Sequence, residues 1–73
     1  MNKERRENIA EAVGLMIQAR DILEQVLEEE QADYDNLPEE QQDAKEGEQM
    51  RENIEFLEEI IDYLEEAEDL EDM

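Results

Sequence analysis

The sequence predicts an all-α protein: an antiparallel helical hairpin with a short turn helix between its arms, dimerising into a four-helix bundle. Three observations predict it. Apolar residues recur at steps of three and four through two long segments, the period of an amphipathic helix. Only two glycines and one proline interrupt 73 residues, a composition that suits long helices. Turn-forming residues gather in one stretch between the segments, QADYDNLPEEQQDAKEG. Residues 1–73 read as a single helical-hairpin domain.

The first helix is expected over about Lys3–Asp33. Its apolar positions are Ile9, Ala12, Val13, Met16, Ala19, Leu23, Val26 and Leu27, and Leu15, Ile17 and Ile22 widen the stripe. The turn is expected over about residues 34–43. Asp33, Asp35, Asn36 and Pro38 are turn formers, and the residue before Pro38 is pushed out of the helical region. Asn36 with Glu39 reads as a cap and its box partner, opening a short turn over Pro38–Gln42. Tyr34 and Leu37 are expected to fold back on the hairpin end. Asp43 reads as a second cap, opening a long helix that runs to about Leu70. Whether Gly47 lies inside that helix or before it stays open. Its stripe is Met50, Ile54, Leu57, Ile60, Ile61, Leu64 and Ala67. At 1.5 Å per residue each helix is roughly 40–45 Å long, and so short a connection makes them antiparallel neighbours. Residues 6–9 and 51–54 both read RENI, a match too short to imply duplication.

Both stripes are wider than one partner helix needs. Each offers about four of seven positions per heptad. The excess is Leu15, Ile17 and Ile22 on the first helix and Phe56, Tyr63 and Leu70 on the second. Burying one such side chain fully is worth roughly 1.5–3 kcal/mol, so an exposed row of them is costly and adhesive. A second copy of the chain covers this flank most simply, giving a homodimer; the alternative is a surface for a different protein. Leu15, Ile22, Phe56, Tyr63 and Leu70 are its candidate residues.

The charge is 26 Asp and Glu against six Lys and Arg, a net −20. Residues 1–36 carry −6 and residues 37–73 carry −14. On the second helix, away from the apolar stripe, lie Glu52, Glu55, Glu58, Glu59, Asp62, Glu65, Glu66 and Asp69, interrupted only by Arg51. Such a row opposes the helix macrodipole, and like charges four apart repel. Antiparallel pairing is expected to offset part of this by placing Lys3, Arg5 and Arg6 beside Glu65, Glu66, Asp69 and Asp72. Glu52 to Asp72 holds 11 carboxylates over roughly 30 Å of helix, about one per 3 Å. A nucleic-acid strand carries one charge per ~3.4 Å. The row is either a solvated face or a surface shaped to meet a basic protein. Direct binding to nucleic acid or to an anionic membrane is disfavoured, because both repel a chain of this sign.

The residue inventory leaves little room for catalysis. There is no Cys, no His and no Ser. Paired carboxylates abound, but acid–base work needs environments that push two pKa values apart, and so small a core offers no such pocket. The run from Asp33 fails as a calcium loop, with Leu37 and Pro38 where a ligand and a glycine are needed. No cofactor and no metal site are expected. No apolar run reaches membrane-span length, and no apolar core follows the basic residues of MNKERRENIA. A cytoplasmic location is the expectation.

The stretch EEEQADYDNLPEEQQ followed by GEQMRENIEFLEEIIDYLEEA resembles a group of small acidic helical-hairpin proteins of phages and prophages of Gram-positive bacteria. Their turn reads (Phe/Tyr)-Asp-Asn-(Leu/Met)-Pro-Glu-x-x-Gln. Tyr34, Asp35, Asn36, Leu37, Pro38, Glu39 and Gln42 match it, and the likeness covers about residues 29–70. The chain departs after Gln42, where DAKEGEQ stands. The resemblance implies a phage origin and a role in the host cytoplasm, and it brings no activity with it. Two functions are therefore expected. One is a non-enzymatic inhibitor that blocks a basic, nucleic-acid-binding surface of a host or defence protein, acting as a DNA mimic through Glu52, Glu55, Glu59, Asp62, Glu66 and Asp69. The other is a structural or assembly protein that works through the apolar flank.

Overall fold

The computed structural model describes residues 1–73, and the chain is helical almost throughout, with no strand. Helix α1 spans Lys3–Asp35, α2 is a single turn at Glu39–Gln42, and α3 spans Lys45–Ala67. A 3₁₀ segment, Glu68–Asp72, continues from α3. The arms α1 and α3 pack antiparallel as an extended hairpin, with Cα extents of 58 × 14 × 13 Å.

The seam between the arms is one residue wide. Val13, Ile54 and Ile61 are its only buried hydrophobic side chains. Ile9, Met16, Leu23 and Leu27 from α1 and Met50, Leu57 and Leu64 from α3 are half-buried around them. In the same row Arg20 meets Glu68: its Nη1 lies 2.7 Å from both carboxylate oxygens and donates to Oε2. Ala19 and Val26, expected in the stripe, are exposed instead. They lie one helical step to the side of the true seam.

Helix ends differ from expectation for identifiable reasons. Asn2 caps α1, its side-chain oxygen accepting from the Arg5 N–H at 2.8 Å. The helix runs to Asp35, two residues past the expected end. Asn36 closes it with its own N–H, which donates to the Ala32 carbonyl at 3.0 Å. Asn36 therefore opens nothing, and the expected box with Glu39 does not form. Pro38 heads α2, its carbonyl accepting from Gln41 and Gln42 at 2.8 and 3.0 Å. Asp43 closes α2 in right-handed helical geometry, so it cannot cap α3, whose extended preceding residue is Ala44. Gly47 lies inside α3 and is buried.

Gln42 and Arg51 tie the turn together. The Gln42 amide donates to the Tyr34 and Leu37 carbonyls, both at 3.1 Å. Arg51 Nη1 donates to the Tyr34 hydroxyl and to the Gln42 carbonyl, both at 3.0 Å, with its guanidinium 5.8 Å from the ring centre. Tyr34 and Leu37 are half-buried here, folded back on the hairpin end as expected.

The expected ion pairs of Lys3, Arg5 and Arg6 with the C-terminal acids are absent. The register explains this. Arg20 stands level with Glu68, and Lys3 lies about 25 Å further along α1 at 1.5 Å per residue. The 3₁₀ segment advances only about 10 Å at ~2 Å per residue. Arg6 and Asp72 line one cleft at this end without pairing.

Candidate functional site

The hairpin has two unlike faces, each one helical step from the seam. In α3 the row Met50, Ile54, Leu57, Ile61, Leu64, Glu68 lines the seam, and a second row, Arg51, Ile54, Glu58, Ile61, Glu65, Glu68, borders it, with Glu58 and Glu65 exposed. One residue after the second row come Glu52, Glu55, Glu59, Asp62, Glu66 and Asp69. All six are exposed, Asp69 on the 3₁₀ segment. One residue before the first row come Gln49, Asn53, Phe56, Ile60, Tyr63 and Ala67. A step of one residue turns the helix by about 100°, so the two sets lie on opposite sides of the seam.

The acidic row has no internal counter-charge. Arg20 makes every ion pair in the molecule, with Asp21, Glu24 and Glu68. Arg51, which the sequence places in the acidic row, is turned to the hairpin end and bonded to Tyr34. That bond, ahead of any other cause, raises its pKa above the ordinary arginine value. Glu59 alone among the six carboxylates has a side-chain partner, accepting from the Tyr63 hydroxyl at 3.1 Å. The bond, then the charge of Glu59, raises the Tyr63 pKa above the ordinary tyrosine value.

The apolar flank is equally open. Leu15, Ile22, Phe56 and Tyr63 are each more than half exposed, and Leu70 is 38% exposed. Ile17 sits apart from them, on the acidic side of α1. Because the arms run antiparallel, stepping one residue back from the seam reaches the same side of the hairpin on both. The structure therefore gathers Leu15 and Ile22 with Phe56 and Tyr63 on one face. On the other face Gln31 of α1 shares a shallow groove with Arg51, Glu55 and Glu58 of α3.

No group of three or more carboxylates comes together closely enough to hold a metal ion. No helix is long and apolar enough to cross a membrane. Comparison with protein-family models, curated proteins and solved structures gives no match.

Proposed function

We propose that this chain is a non-enzymatic interaction protein whose acidic face docks on a basic surface that otherwise binds nucleic acid. Glu52, Glu55, Glu59, Asp62, Glu66 and Asp69 act as phosphate surrogates. The observation that carries this reading is that all six carboxylates stand exposed in one row with no ion-pair partner. The row works against helix stability by a few tenths of a kcal/mol for each like-charged i, i+4 pair, so stability alone does not account for it. Following the turn motif, we read the protein as phage-encoded and acting in the host cytoplasm as an inhibitor of a host or defence protein.

Affinity capture from host extract with the wild-type chain and with a variant carrying Gln or Asn at the six positions tests this. Neutral isosteres keep the helix and relieve repulsion, so the variant folds. Wild type is expected to capture a basic protein that duplex DNA or about 0.5 M NaCl releases, because screening weakens exposed charge pairs. Capture that is equal with the neutral variant, or indifferent to salt, refutes it. A second reading, a structural or assembly protein, rests on the exposure of Phe56 and Tyr63.

A further inference from the structure

We infer that the apolar face is the interface with a second copy of this chain, closing two hairpins into a square four-helix bundle. Two heptad rows on the open face carry the inference. Asn8, Ala12, Leu15, Ala19, Ile22 and Val26 follow steps of 4, 3, 4, 3 and 4 along α1. Gln49, Asn53, Phe56, Ile60, Tyr63 and Ala67 follow the same steps along α3. None of these twelve positions is charged, in a chain that is 44% charged, and charge returns where the same steps reach Arg5 and Glu29 on α1 and Glu46 on α3. On α1 the row lies one residue before the seam row Ile9, Val13, Met16, Arg20, Leu23, Leu27, and the α3 row has the same offset. Each arm thus bears two heptad seams, and an α-helix with two seams packs on two neighbours.

The offset selects the number of helices. One residue is about 100° of helix. A square bundle turns through about 90° at each helix, and a three-helix bundle through about 60°. The second seams therefore ask for two further helices, one opposite each arm, rather than one helix in the groove. A second hairpin supplies that pair with the same neutral rows, as a twofold interface requires.

Area and charge agree with this occupant. The chain exposes 5700 Å², whereas a compact chain of 8.7 kDa exposes about 4700 Å². The difference, about 1000 Å², comes from the drawn-out shape and leaves room for the ~800 Å² that each partner commits to a standard interface. The radius of gyration is 17.0 Å, against about 11 Å for a compact chain of this length. The acidic row of α3 lies to the other side of the seam and meets the dimer face only along a border, where Glu59 accepts from the Tyr63 hydroxyl, so the dimer leaves most of the surface assigned to docking open.

Sedimentation of the full chain between about 5 and 100 µM tests the inference. The expected mass is twice 8.7 kDa, with a melting temperature that rises with concentration. The dimer is expected to tighten with added salt, because two chains of −20 repel less when screened. Docking on a basic protein responds to salt in the opposite sense, which separates the two proposals. The variant carrying Ile22→Glu and Tyr63→Glu is expected to sediment at the mass of one chain. Neither side chain belongs to the hairpin's own core; should the added charge unfold that variant, the uncharged pair Ile22→Gln and Tyr63→Gln is expected to sediment at the mass of one chain, and its remaining a dimer overturns the inference. A helical wild type at single-chain mass at the highest concentration overturns the inference, as does a dimer that survives both substitutions.

Discussion

Two glycines in the same protein have opposite roles. A Cβ on Gly47 would overlap the Gln42 carbonyl oxygen and lie 2.6 Å from Gln42 Cα, so the first turn of α3 passes directly against the end of α2. A Cβ on Gly14 meets nothing within 4 Å. Gly47→Ala is expected to destabilise by about 1–3 kcal/mol, the usual cost of overpacking. Gly14→Ala is expected to stabilise by about 0.5–1 kcal/mol, since alanine is the better helix former. Chemical denaturation of both variants checks the pair, and equal effects would contradict the close approach at α2. None of this is legible in the residue letters, because glycine looks the same whether it is tolerated or required. Arg20 and Arg51 were equally silent. Their partners, Glu68 and Tyr34, are 48 and 17 residues away, and only the register of the hairpin brings them together.

At the scale of elements, the turn motif has a structural explanation. Gln42 satisfies two carbonyls at the end of α1, and Arg51 fastens Tyr34 to α2. Gln42→Ala is expected to cost about 1–2 kcal/mol, since each lost hydrogen bond is worth about 0.5–1.5 kcal/mol. Thermal melts followed by circular dichroism check this; an unchanged midpoint would mean the turn holds without it. The two long arms were readable from apolar spacing, because a period of 3–4 residues survives any choice of surface residues. The caps were not. Asn36 and Asp43 have the chemistry of helix openers, but the right-handed helical backbone they adopt places them at helix ends. Asn2, with the same chemistry and an extended backbone, caps α1.

For the whole molecule, a thin core and a large net charge oppose each other. Three buried hydrophobic side chains hold a chain of net charge −20. Raising NaCl from about 20 mM to about 500 mM is expected to raise the melting temperature by roughly 4–8 °C, for about 1 kcal/mol of relieved repulsion. Calorimetry across that range checks it, and a fall would show that attractive pairs dominate. The two-faced character was half legible. The sequence shows an apolar flank on each helix, and an acidic row on the second, by counting. That both flanks fall on one side of the hairpin follows only from the antiparallel register.

The same register leaves Lys3, Arg5 and Arg6 without an ion pair, at the far tip from the Glu28–Glu30 and turn acids. An anionic rod thereby acquires a compass direction. A basic groove drawing it in from solution will turn that least anionic tip outward, so approach is oriented end for end before any side chain touches.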